Sequence, residues 1–239
     1  MALSLAMFES AWNTTTTPKT ASVTGALTGD YLVVLICGDQ SASNLVSACT
    51  TSTTGGTTGT WTEPYESLGA GTTSDWFSSA VAQVTADGTV TVSVARTKAG
   101  TIGGMWGFYV LRATGASGVG NVANTPVGSA LTVSLTVQAT GNGVAFIAGD
   151  WNAGAVPTAW VPSTGANLVE RSQLTDYTIS AAYWASETAG ARSYGVSGGG
   201  GGSNYRCLAV EIVASGGAPA EVPSPPIGTH VAVSRAAYY

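Results

Sequence analysis

Four phrases of this chain occur twice, in the same order, and that repetition limits the possible folds more than any other feature. "TGDYLVVLICGD" (Thr28 to Asp39) is matched by "TGNGVAFIAGD" (Thr140 to Asp150), with one residue inserted. "TWTEPYES" at Thr60 matches "AWVPSTGANLVERS" at Ala159, and "SDWFSSAVAQV" at Ser74 matches "TDYTISAAYWA" at Thr175. "GMWGFYVLRATGASG" at Gly104 matches "SNYRCLAVEIVASGG" at Ser203. Such order predicts two copies of one unit, dividing between Gly115 and Val127. The expected organisation is a first half over 1–120, a second over 121–215, and a separate segment over 216–239.

Each half reads as strands. "GTVTVSVAR" (Gly88 to Arg96) and "LTVSLTVQA" (Leu131 to Ala139) alternate apolar and polar residues with period two. "YLVVLIC" (Tyr31 to Cys37) and "VAFIAG" (Val144 to Gly149) are continuous apolar runs between turn residues, the pattern of strands buried on both faces. Asp87-Gly88 and Asn142-Gly143 supply tight-turn chemistry. Glycine and β-branched residues are too frequent for long helices. The expected fold is all-β, an antiparallel, jelly-roll-like β-sandwich of two repeated halves. The opening "MALSLAMFESAWN" reads as a strand, not a signal peptide.

After residue 215 the composition changes. "SGGAPAEVPSPPIGTH" (Ser215 to His230) is proline-rich and predicts an extended, semi-rigid linker. Beyond it, "VAVSRAAYY" is a short strand-like peptide. Val231, Val233, Arg235, Tyr238 and Tyr239 are its candidate assembly residues, able to add to the edge of a neighbour's sheet.

Charge narrows the function. Only 9% of residues are charged, the net charge is -5, and the 8 basic residues form no cluster. Nucleic acid and anionic membranes are therefore not expected partners. The odd set Cys37, Cys49 and Cys207 lacks metal-ligand spacing, so neither a disulfide framework nor a metal or other cofactor is expected.

Catalytic constellations are weak. "GVSGG" (Gly195 to Gly199) matches a nucleophile-elbow pattern, but Ser197 runs into glycines that cannot open a helix, and the single histidine, His230, lies in the tail. Paired carboxylates for glycoside hydrolysis could come from Glu66, Glu170, Glu187, Glu211, Asp39, Asp75, Asp150 or Asp176. Their spread over both halves favours turn and cap roles, so no catalytic residue is assigned. "DWNAG" starts like a calcium loop and does not continue as one.

Aromatic residues remain. Trp61, Trp106, Trp160 and Trp184 sit in strand patterns and are expected in the core. Trp151, at a loop start, is the candidate for exposure. With Asp150 and Asn152 it forms the candidate glycan platform. Gly-Asp at 38–39 and 149–150 reads as the repeated way one strand ends, leaving Trp151 particular to the second half.

The phrases "FESAWNTTTTPKTASVT", "GDYLVVLICGDQSASN", "AGDWNA", "YTISAAYWASETAGARSYGVSGGGGG" and "LAVEIVASG" resemble a family of tailed-phage virion proteins, the minor tail proteins of phages infecting actinobacteria. The resemblance covers Phe8 to Ser215. It implies a non-enzymatic, β-rich structural protein on the virion surface, assembled in the host cytoplasm. Its partners would be other virion proteins and copies of itself. Decoration of the capsid is the neighbouring possibility. A host-surface carbohydrate-binding module acting in adsorption is the alternative, and a polysaccharide-degrading enzyme ranks behind both.

Overall fold

The computed structural model describes residues 2–10, 17–38, 46–55, 57–67, 76–98, 106–126, 128, 130–151, 158–163, 166–173, 177–198 and 205–216. Among them there is no helix, and every strand pairing is antiparallel. The first eight strands are β1 (Ser4–Glu9), β2 (Lys19–Ala26), β3 (Tyr31–Gly38), β4 (Val46–Thr54), β5 (Thr62–Ser67), β6 (Trp76–Gln83), β7 (Gly88–Lys98) and β8 (Trp106–Thr114). The next eight are β9 (Ala116–Asn124), β10 (Thr132–Val137), β11 (Gly143–Trp151), β12 (Ala159–Val161), β13 (Ala166–Gln173), β14 (Tyr177–Trp184), β15 (Gly190–Ser197) and β16 (Tyr205–Ala214).

The first eight form a five-stranded sheet in the order β1-β8-β3-β6-β5 and a three-stranded sheet β2-β7-β4. The second eight form β9-β16-β11-β14-β13 and β10-β15-β12. Counted from β9, the second order matches the first strand for strand. Pro64 lies on β5, an outer strand, where its missing N–H leaves no ladder bond broken.

Side-chain alternation explains the layering. On β3, Leu32, Val34 and Ile36 face the small sheet and pack on Val23, Val90, Val92 and Val94. Val33, Leu35 and Cys37 face the other way, onto Ala145, Ile147, Leu208 and Val210 of the second unit. On β11, Val144, Phe146 and Ala148 face Val133, Leu135 and Tyr194 of their own small sheet. The two five-stranded sheets therefore lie back to back, with a small sheet outside each. This is why Tyr31 to Cys37 and Val144 to Gly149 are apolar without alternation, whereas β2 and β10 alternate. Full burial of each such Val, Leu or Ile contributes about 1.5–3 kcal/mol.

One hydrogen-bond device occurs in both units. Just past β1, the Ser10 N–H donates to the Phe108 carbonyl at 3.0 Å and the Ser10 hydroxyl accepts from the Phe108 N–H at 3.0 Å. Just past β9, Thr125 does the same with Cys207, at 3.0 and 2.8 Å.

Residue 120 lies inside β9, which pairs with β16, and the change of sheet lies at Gly115, the first residue of the expected dividing stretch. Two sequence expectations need correction. The matched phrases are one residue out of step with the faces. Ala80 and Ala181 align by phrase, yet Ala80 faces the small sheet and Ala181 the central core. Likewise a Cβ on Gly38 would strike Trp76 and Trp106 on the small-sheet side, whereas alternation after Ile147 puts Gly149 on the central face. A slip of one residue exchanges the faces of a strand. Gly38 and Gly149 thus lie on opposite faces of their strands, and Asp39 lies outside the described residues. Finally, Trp61 lies in no strand; it precedes β5 and packs half-buried against the first unit's core. Trp106, Trp160 and Trp184 are buried as expected.

Candidate functional site

The two ends of the block differ. The connections 39–45, 68–75 and 99–105 of the first unit leave from one end, as do 152–158 and 198–204 of the second. The connections 27–30, 84–87 and 138–142 lie at the other. The units share this polarity. At the first end the Arg206 guanidinium sits 5.4 Å over the Phe77 ring and donates to the Tyr65 hydroxyl at 3.4 Å, joining β16 to β6 and β5. At the opposite end Leu3 and Leu5 close on Gly143.

β11 carries Asp150 and Trp151 to the first end. Trp151 is not a loop residue: it is the last residue of the strand and pairs with Tyr177, while Asp150 pairs with Thr178 and Tyr205. The side chains of both, and Asn152 entirely, lie outside the described residues. Val231, Val233, Arg235, Tyr238 and Tyr239 lie outside them too.

Beneath this end the first unit holds two buried cations. Lys19 Nζ lies 5.3 Å and the Arg96 guanidinium 5.0 Å from the Trp106 ring centroid, and Trp106 packs on Trp76 at 6.1 Å. Burial, then the neighbouring Arg96 charge, lowers the Lys19 ammonium to about 8. In the second unit the same ladder and face positions are Val133, Val196 and Tyr205, all buried in its core. Among the described residues, the packing of Lys19 and Arg96 on Trp106 inside the sandwich therefore has no counterpart at the matching positions of the second unit.

At the opposite end each sandwich is closed by one charged side chain from an apolar strand. Arg112 of β8 donates from Nη1 to the Thr24 and Gly25 carbonyls, both at 2.6 Å, and its Nε lies 3.9 Å from Asp30. Glu211 stands in the same place on β16, with the polarity reversed. It is 0% exposed and accepts from the Gln138 N–H at 2.6 Å, the Asn121 N–H at 3.0 Å and Asn142 Nδ2 at 2.7 Å. Backbone carbonyls meet the cation and backbone N–H groups meet the anion. Beside Glu211, buried Glu187 accepts from Arg192 Nη1 and, at 2.9 Å, from the Tyr194 hydroxyl. Burial, and then that bond to Glu187, hold the Tyr194 phenol well above its ordinary range.

Two of the carboxylates considered for hydrolysis, Glu187 and Glu211, are thus engaged in closing the second sandwich. Glu66 is exposed on β5; the side chains of Asp150 and Glu170, and all of Asp39, Asp75 and Asp176, lie outside the described residues. No group of three or more His, Cys, Asp or Glu side chains is assembled among the described residues. Sequence reasoning missed the sealing residues, although a signal existed. Arg112 in "YVLRAT" and Glu211 in "LAVEIVA" are single charges inside apolar runs, near the ends of matched strands.

Compared with known proteins, the chain matches no family model, no curated protein and no solved structure.

Proposed function

We propose that the chain is a non-enzymatic structural protein of a tailed-phage virion, a minor tail protein or a decoration protein of the capsid surface. The observation that carries this reading is the strand order. In each unit β1-β8-β3-β6 and β2-β7-β4, or their counterparts, nest as a jelly roll does, with only the fifth strand transferred to the larger sheet. Jelly rolls recur in viral shells and lectins. We read the two units as copies of one such fold. The low charge and the phrases resembling phage virion proteins support the same reading. The proposed partners are other virion proteins and further copies of the chain, on the particle surface. Mass spectrometry of purified particles tests it: the chain is expected in multiple copies, and its absence would refute the proposal.

A second reading, adsorption to host-surface glycan, is favoured by one observation. β11 delivers the backbone of Asp150 and Trp151 to the end from which the long connections leave. A Trp151→Ala phage with unaltered adsorption, together with a blank glycan array, would remove it.

A further inference from the structure

The two small sheets differ at one edge. In the first unit β4 covers β7 along Thr91 to Lys98. In the second unit β12 is three residues long and covers only Gly195 to Ser197 of β15. The stretch Ala191 to Tyr194 is therefore paired on its β10 side and, among the described residues, has no strand on the other. Exposure follows the gap. Gly190 to Ser193 are all exposed, whereas Thr91 to Ala95 under β4 alternate between half-buried and buried.

The direction of the backbone groups follows from two bonds. The Val196 N–H donates to Leu131 on the β10 side, and the Ser197 carbonyl accepts from the Thr158 N–H on the β12 side. Successive residues of a strand point their N–H and C=O groups to opposite sides. Ala191 and Ser193 thus present theirs to the open edge. Such an edge is a template for one added strand.

We propose that the segment Val231 to Tyr239 of one copy adds as a strand to the Ala191–Tyr194 edge of β15 in a second copy. This rests on the assembly role proposed above. The sequence alternates as such a strand needs: Val231 and Val233 share one face, on the side of the small sheet's interior, and Ala232 and Ser234 share the other. The chain reaches the edge from a suitable place. Ser215 and Gly216 line a cavity of about 350 Å³ together with Ser186, in the connection that leads into β15. From Ser186 to Ala191 the chain spans at most about 17 Å. The spacer 217–230 carries Pro219, Pro223, Pro225 and Pro226 and, extended, reaches about 40 Å. A spacer of that length is long enough to reach the same edge of a neighbouring copy.

The test uses the purified full-length chain and three measurements. Sedimentation velocity is expected to show reversible self-association. Ser234→Pro removes a backbone donor that faces β15 in an antiparallel addition, where Ser234 sits opposite Ser193. Ser193→Pro removes one from the edge while leaving the β10 ladder intact, because that N–H faces outward. Each is expected to weaken association at least about tenfold, with its melting temperature unchanged within a few degrees. Mixing a Ser193→Cys chain with a Ser234→Cys chain is expected to give an intermolecular disulfide under oxidation. A wild-type chain that stays monomeric at all concentrations overturns the proposal. So does cross-linking that closes only within a doubly substituted chain and never between mixed copies. No particle is involved, so failure here leaves virion membership standing, and absence from particles leaves this result standing.

Discussion

Replacing Glu211 with alanine isolates the second unit's closure. The carboxylate is 0% exposed and accepts three hydrogen bonds, from Asn121, Gln138 and Asn142. Bonds to a charged group contribute about 1.5–3 kcal/mol each, and a buried donor left without an acceptor costs about 1–3 kcal/mol. The three losses do not add in full. Asn142 is completely buried and bears the whole penalty, whereas Asn121 and Gln138 are half-buried and can recover water. Their sum is expected near 3–5 kcal/mol, about the cost of breaking a buried ion pair. Glu211→Gln keeps the shape but turns an amide N–H toward a backbone donor, and about 1–3 kcal/mol is expected. Equilibrium urea denaturation of the full chain at fixed pH measures both. A loss below about 1 kcal/mol for Glu211→Ala would show that the three bonds do not hold this end, and the argument would fail.

Three further outcomes follow from the same geometry. Lys19→Met should remove a pH-dependent component of stability, read by urea denaturation across the alkaline range. The folded amine is lowered to about 8, so the unfolded chain binds more protons from there up to the ordinary lysine value of 10.5; wild-type stability should rise with pH across that window, and the variant should lack that component. Gly38→Ala should destabilise by about 1–3 kcal/mol in the same denaturation assay, because the added Cβ would stand 2.5 Å from Trp76 Nε1 and 2.6 Å from the Trp106 Cβ. All three cysteines are buried and Cys49 is pushed up to about 12 by burial and by Glu63 and Glu66, so native protein at pH 8 should resist alkylation that unfolded protein undergoes.

The strands were legible because their periods are local properties. Alternation in "GTVTVSVAR" marks one buried face, and its absence in "YLVVLIC" marks two. The partner for the second face was not legible. Nothing in "YLVVLIC" says that Val33 and Leu35 meet Ile147 and Leu208 across a second sheet. The order of the matched phrases agrees with the strand order but their register does not, since matching phrases by residue type tolerates a one-residue slip that a pleated strand does not. That slip made two Gly-Asp dipeptides look like one structural feature. The candidate platform was placed only in part. Pairing carries Trp151 to the end of β11, one residue further along the ladder than a loop start implies. The sealing pair Arg112 and Glu211 escaped because its members bear opposite charges, and their likeness is one of position.

A density map of the intact particle tests the central claim most directly. The account predicts surface density for two back-to-back five-stranded sheets flanked by two small ones, with a strand from a neighbouring copy beside Ala191 to Tyr194. A map that assigns all surface density to other proteins, leaving none for this chain, would contradict it.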